Sequence, residues 1–133
     1  MADEAIDIAE RAADALRAAG IPVQGTRLDG LSGRDGCVVR MVAPHTAEHY
    51  YDGSRLVSCT LQFVSKHLDA IECMDECERA ACALRAADLS SANGSYAMEG
   101  PVQADGEAEE LAFGADMRHV WCARLTARII RDF

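Results

Sequence analysis

Residues 50–89 read YYDGSRLVSCTLQFVSKHLDAIECMDECERAACALRAADL, and this stretch decides the fold. It opens on a turn, Tyr50-Tyr51-Asp52-Gly53-Ser54. Residues 55–67 follow with strand periodicity. Val57, Cys59, Leu61 and Phe63 fall on one face, and Ser58, Thr60 and Gln62 on the other. A period of two marks a strand with one face on a core. Residues 69–87 then switch to helical periodicity, with Ile71, Met74, Cys77, Ala81 and Leu84 recurring at three and four. Asp69 suits the N-cap, and Glu72 stands where a capping box needs it. Glu72, Asp75 and Glu76 precede Arg79 and Arg85, the order that the helix dipole favours. A strand feeding directly into an amphipathic helix predicts a helix laid on a sheet.

Outward from this unit, residues 2–19 read as a first helix with Ile6, Ala9, Ala13 and Leu16 as its apolar stripe. Gly20 ends that helix and Pro22 follows it. Residues 23–28 read as a short strand interrupted by Gly25, and Asp29-Gly30 and Asp35-Gly36 as turns. Residues 37–43 are a further strand, with Cys37, Val39 and Met41 on one face. Residues 44–54 read as a long connection carrying two histidines and two tyrosines. Beyond the second helix, Ser90, Ser91 and Asn93-Gly94 form a turn. Residues 96–104 are a strand broken at Gly100-Pro101, which suits a sheet edge. Asp105-Gly106, Glu107, Glu109 and Glu110 form a solvated tip, residues 111–113 begin a short strand, and residues 114–116 turn back. Residues 117–130 alternate as a long strand, with β-branched residues favouring strand over helix. Trp121 reads as core, with an interface anchor as the alternative. The pattern of strand runs broken by helices predicts a single α+β domain: a mostly antiparallel sheet with two helices packed on one face.

Composition narrows the function. The chain has 133 residues, half of them hydrophobic, and a formal net charge of −9. Its 13 basic residues form no cluster of the kind that phosphate backbones require. Direct nucleic-acid binding and attachment to an anionic membrane are not expected. No apolar run approaches the roughly 20 residues of a membrane span. The acidic N-terminus lacks a signal-peptide pattern, so a cytoplasmic start is expected. Most of the six cysteines lie in strand-like or helix-like runs among apolar or small residues, and reduced thiols are expected.

Three constellations bear on chemistry. His45-Thr46-Ala47-Glu48-His49 fits an H-x-x-E-H zinc-peptidase pattern, but Pro44 before it and Asp52-Gly53 after it leave little room for the helix this chemistry needs. Cys73, Cys77 and Cys82 lack the C-x-x-C knuckle spacing of structural zinc and read as core thiols. No phosphate-binding loop and no nucleophile elbow is present. The expectation is no catalysis, no metal and no cofactor.

The order of pieces resembles a known family. Tyr50 to Ser54, Leu61-Gln62-Phe63, the segment from Leu89 to Tyr96, and the final strand from Trp121 to Ile130 are similar to the tail-terminator, or minor capsid, proteins of long-tailed phages and prophages. The resemblance implies a structural protein that forms a homo-oligomeric ring, such as a hexamer. That ring terminates the tail tube and joins it to the head–tail connector, so the implied partners are further copies of the chain, the tube protein and the connector protein. The implied locations are the bacterial cytoplasm during assembly and the virion tail. No catalytic residues are carried over. Interface candidates are His45, His49, Tyr50, Tyr51, Asp52, Glu107, Glu109 and Glu110. A negative surface would also let DNA pass a ring without sticking. The alternative is a small ligand- or peptide-binding α+β module without catalysis.

Overall fold

The computed structural model of the protein describes residues 6–27 and 35–132. Its elements are α1 (Ile8–Ala18), β1 (Gly36–His49), β2 (Arg55–His67), α2 (Ala70–Ala86), β3 (Ala97–Met98), β4 (Gln103–Ala104), β5 (Glu109–Phe113) and β6 (His119–Arg131). They form an α+β fold, a six-stranded antiparallel sheet with both helices packed against one face. β2 lies between β1 and β6, and the short strands β3, β4 and β5 share the far edge of β6.

The alternation read in β2 and β6 is the alternation observed. Val57, Cys59, Leu61 and Phe63 of β2 join Ala123, Leu125, Ala127 and Ile129 of β6 in the core, opposite Ile8, Ala12, Leu16, Cys77, Ala80 and Leu84 of the helices. The opposite face carries a smaller apolar cluster, Val38, Val64 and Cys122, flanked by Val120. Beyond it lies a row of polar side chains, in which Arg40 Nε donates to Gln62 Oε1 at 2.7 Å.

Helix α1 is shorter than the sequence suggests. Residues 2–5 lie outside the described residues, and the buried stripe is Ile8, Ala12, Ala13 and Leu16 rather than one led by Ile6 and Ala9. Ile8, a large side chain four residues before Ala12 and eight before Leu16, sets that phase. The C-terminus closes as read. Gly20 takes φ +88°, Ile21 N–H donates to Leu16 O at 2.9 Å, and Gly20 N–H to Arg17 O at 3.1 Å. That pair of bonds is a Schellman stop. Asp7 precedes the helix but caps a different segment. Its carboxylate accepts from Ser91 Oγ at 2.7 Å, Ala92 N at 2.9 Å, Ser95 Oγ at 3.2 Å and Asn93 N at 3.3 Å. The serine-rich turn read after the second helix is thereby tied to α1.

Four further expectations change. Residues 23–27 are not a strand, although Gln24 N–H donates to Cys37 O and Val39 N–H to Gly25 O, so the segment fastens to the outer edge of β1. Leu28 and the turn at Asp29-Gly30 fall outside the described residues. Residues 44–49 are not loop but the outer half of β1, which continues through register shifts at Val42/His45 and Thr46/Glu48. Ala43, with φ +51°, and Pro44 sit at the first shift. Proline needs no ladder bond at a bulge on an edge strand, so the strand survives it. The stripe of α2 is Cys73, Cys77, Ala80 and Leu84 together with Glu76, and Ile71 is 72% exposed. Finally, residues 96–104 break at Gly100-Pro101 as read, into two short edge strands, and the change lies beyond them: Glu109 and Glu110 belong to β5 rather than to a free tip.

Asp7 offers a stability test. Partial burial pushes its pKa up, but bonds from Ser91, Ala92, Ser95 and Asn93 outweigh this and hold it below the ordinary carboxylate value. A depressed carboxyl stabilises the fold above its unfolded pKa of about 3.9, and loses that contribution as pH falls through the folded value. Asp7→Asn should therefore lose about 1–2 kcal/mol at pH 7 in urea unfolding. The gap to wild type should narrow below about pH 4. An equal gap at pH 7 and at pH 3 would refute this role.

Candidate interaction surfaces

The sequence-derived candidates fall into two groups on different margins of the sheet. His45, His49, Tyr50, Tyr51 and Asp52 lie on the outer part of the β1–β2 hairpin, and all are exposed. The tip is held by local bonds. Tyr50 N–H donates to Ser54 O at 2.9 Å, and Gly53, with φ +90°, donates to Tyr50 O at 3.2 Å. Asp52 Oδ1 accepts from Ser54 Oγ at 2.6 Å and Ser54 N at 3.0 Å, and these bonds hold its carboxyl below the usual range. The two tyrosine rings are thus presented to solvent on a fixed turn, with Tyr50 39% exposed and Tyr51 fully so. Aromatic rings displayed at low conformational cost are typical contact anchors.

The second group sits on the β6 flank. Glu107 is exposed in the turn between β4 and β5. Glu109 pairs with Arg124. Glu110 Oε2 accepts from Trp121 Nε1 at 3.2 Å and lies 3.0 Å from His119 Nδ1. Two of the three acids read as one solvated tip are therefore engaged within the chain, while Glu107 points outward. Trp121 is half-buried at the rim of the core.

His45 and His49 do not share a helix face. They stand four residues apart on a strand, with the register shift at Thr46/Glu48 between them, and among the described residues no group of three or more His, Cys, Asp or Glu is placed to hold a metal ion. His45 Nδ1 lies 3.3 Å from its neighbour Ala43 O.

Sequence reasoning missed a third surface. Leu68, Ile71, Leu111, Phe113 and Met117 are exposed at 57%, 72%, 44%, 50% and 64%. Phe113, His119 and His67 occupy one row across the sheet, and Leu68, Ile71 and Met117 belong to the turns and helix start at that end. The Phe113 and His119 rings meet with centroids 4.7 Å apart. This end lies opposite the tyrosine tip. The signal was Leu111-Ala112-Phe113 beside acids, together with Ile71, whose assignment to the core concealed it.

Beneath that end lies a buried polar trio. Ser65 Oγ donates to Glu76 Oε1 at 2.7 Å, and His67 Nε2 lies 3.0 Å from the same oxygen. The residue types are those of a hydrolase triad, but the wiring differs. Serine and histidine both address one carboxyl oxygen, and Ser65 is fully buried. A nucleophile needs its hydroxyl on the base and open to substrate. The trio instead pins α2 to β2. Asp35 and Glu72 carboxyl oxygens each lie 3.9 Å from His67 Nδ1.

The thiols are equally enclosed. All six are free, and only Cys82 is exposed. Burial pushes Cys37 up to about 12, with the Glu76 carboxyl adding to the shift, and pushes Cys59 up to about 11. Burial also raises Cys73, Cys77 and Cys122. A thiol held protonated in this way is a poor nucleophile.

A cleft of about 240 Å³ lies at the hairpin end, lined by Ile6, by Pro44, His45 and Thr46 of β1, by Arg55 and Val57 of β2, and by Arg131 of β6. Among the described residues no helix is long and apolar enough to cross a membrane. No family model matches the chain, and no curated protein matches it in sequence.

Two measurements check this account. A chromogenic disulfide reagent at neutral pH should modify one thiol per native chain, at Cys82, and all six after denaturation. Rapid reaction of a second thiol in the native state would contradict the burial. Glu76→Ala should lower stability by about 2–4 kcal/mol, since it strands a buried hydroxyl and imidazole. A loss under about 1 kcal/mol would show that the trio is not a fastening.

Proposed function

We propose that the chain is a structural tail-assembly protein of a long-tailed phage or prophage. Its copies form a ring that terminates the tail tube and meets the head–tail connector. Assembly takes place in the bacterial cytoplasm, and the protein stays in the virion tail. The observation that carries this reading is the separation of unlike surfaces around one rigid sheet. A fixed tyrosine tip lies at one end, an apolar patch at the other, and an outward acidic turn on one flank. A closed ring with head-to-tail contacts requires different, complementary surfaces on each subunit, and contacts along the ring axis require two more. Several large apolar side chains exposed toward one end of a small domain suit a contact site. The buried Ser65, His67 and Glu76 hydrogen-bond inside the fold rather than opening into a cleft, which favours a role carried by shape over one carried by reaction.

Deletion of the gene from the phage or prophage that carries it tests the reading. The expected outcome is tubes of uncontrolled length, with uniform headed tails restored by the wild-type gene. Electron micrographs showing an unchanged tail length and normal head joining would overturn the proposal. Tyr51→Ala combined with Phe113→Ser should fold normally and restore fewer headed tails than wild type.

A further inference from the structure

We infer that the apolar end of the sheet receives an amphipathic segment of a partner protein, with an apolar ridge flanked by lysine or arginine. This contact is one of the two axial contacts proposed above, and it rests on that reading for the partner's place alone. The apolar side chains gather on one row of the sheet. His67 and His119 are partners across β2 and β6, and Phe113 faces His119 from β5. Leu68 follows His67 directly, and Met117 precedes His119 by two residues. Cys73 Sγ donates to His119 O at 3.3 Å, so the first turn of α2 lies against the same residue and brings Ile71 to this end. Leu68, Ile71, Phe113 and Met117 are each at least half exposed.

Met117 is held out under strain. Its φ of +66° lies in the left-handed region, which a residue with a side chain adopts at a cost. Neighbouring bonds fix the turn. Met117 N–H donates to Gly114 O at 3.0 Å, and Asp116 accepts from Arg118 N at 3.3 Å and pairs with Lys66 at 3.2 Å. A long apolar side chain is thus kept in solvent by a strained turn, which points to a contact outside the chain.

The rim sets the charge of that contact. Among the described residues, Asp35, Asp69, Glu72, Glu110 and Asp116 stand at this end, with Lys66, Arg118 and the two histidines. Lys66 and Arg118 are paired to Asp116 and Asp35. Asp69 and Glu72 bracket Ile71, are exposed, and among the described residues pair with no lysine or arginine. An apolar patch with an acidic rim is complementary to an apolar ridge with basic flanks. A second copy of the chain fits less well, because a two-fold contact here sets acidic rim against acidic rim. An anionic bilayer meets the same repulsion.

Titration of the full chain with a synthetic amphipathic peptide of leucine and lysine, about four helical turns long, tests the contact. Trp121 is the single tryptophan, donates to Glu110 at this rim, and reports binding by its fluorescence. Saturable binding is expected. The same peptide with glutamate in place of lysine should bind roughly tenfold more weakly or worse. Ile71→Ser and Met117→Ser leave the charge unchanged, and each should weaken binding roughly tenfold. Asp69→Asn combined with Glu72→Gln keeps an N-cap oxygen, and should weaken binding severalfold and flatten its salt dependence. Glu10→Gln, at an exposed acid of α1, should change nothing.

No binding of the leucine–lysine peptide, or equal binding of the glutamate peptide, would overturn the proposal. So would Ile71→Ser and Met117→Ser variants that bind as wild type does, since net charge alone would then hold the peptide elsewhere. A wild type that sediments as a dimer, with Met117→Ser a monomer, would assign the patch to a second copy and equally refute the contact. In each case the tail-length experiment still judges the ring.

Discussion

The register of β2 is the constraint on which the rest depends. It is paired along its whole length to β6 and along most of it to β1, so its thirteen residues are fixed from both edges. A slip by one position would turn Val57, Cys59, Leu61 and Phe63 to the open face and bring Thr60 and Gln62 into the core. Hydrophobic burial alone opposes that slip, at about 25 cal/mol for each Å² of apolar surface. The polar residues at the far end of the strand add direction. Ser65 and His67 stand two apart on the core face and meet Glu76 together. Shifted by one, the strand would offer Val64 and Lys66 to a buried carboxyl, which an apolar side chain could not satisfy.

The same trio explains the rotation of α2. A stripe of Ile71, Met74, Cys77, Ala81 and Leu84 is the more hydrophobic choice, yet the helix buries Cys73, Glu76, Cys77 and Ala80 with Leu84. Small residues along that face let the helix axis approach the sheet closely, and Glu76 reaches two donors there. The turned helix leaves Ile71 in solvent at the end where Leu68, Phe113 and Met117 are also exposed. One internal hydrogen-bonding choice thus produces both the fastening of α2 and part of an external apolar patch. It also accounts for the cysteines. Cys73 and Cys77 serve as small hydrophobes between α2 and the sheet, and enclosure keeps their thiols protonated.

Strong periodicity was legible and its exceptions were not. The two long central strands, β2 and β6, could be read from alternation, and the end of α1 from Gly20 and Pro22. The outer half of β1 could not, because Pro44 looks like a breaker until the bulge that absorbs it is seen. The phase of α2 was hidden because it depends on a buried glutamate, which hydrophobic periodicity scores as surface. The candidate surfaces show the same division. Tyr50 and Tyr51 announced themselves as a turn, and their exposure follows. The cleft joins positions 45, 55 and 131, which only the pairing of β1, β2 and β6 brings together. Glu109 and Glu110 looked equivalent to Glu107 in a charge run, but their strand register places them beside Arg124 and Trp121.

The two lateral edges of the sheet limit how copies of the chain can meet. On the β1 side, Gln24 and Gly25 bond to the ladder positions at Cys37 and Val39, and the bulge at Ala43-Pro44 interrupts the remainder. On the β6 side, three short strands with breaks between them replace one continuous edge. Covered, bulged and broken edges are poor templates for strand addition. Continuous backbone pairing between copies of the chain is therefore disfavoured on both sides, which leaves any such contact to side chains and turns. Contacts of that kind are weaker per residue, sensitive to salt, and specific through matched charge rather than area. For the proposed ring this has a use. Subunits that bind one another weakly stay dispersed until a tube end supplies a second contact, and linked contacts then raise the effective concentration that closes the ring.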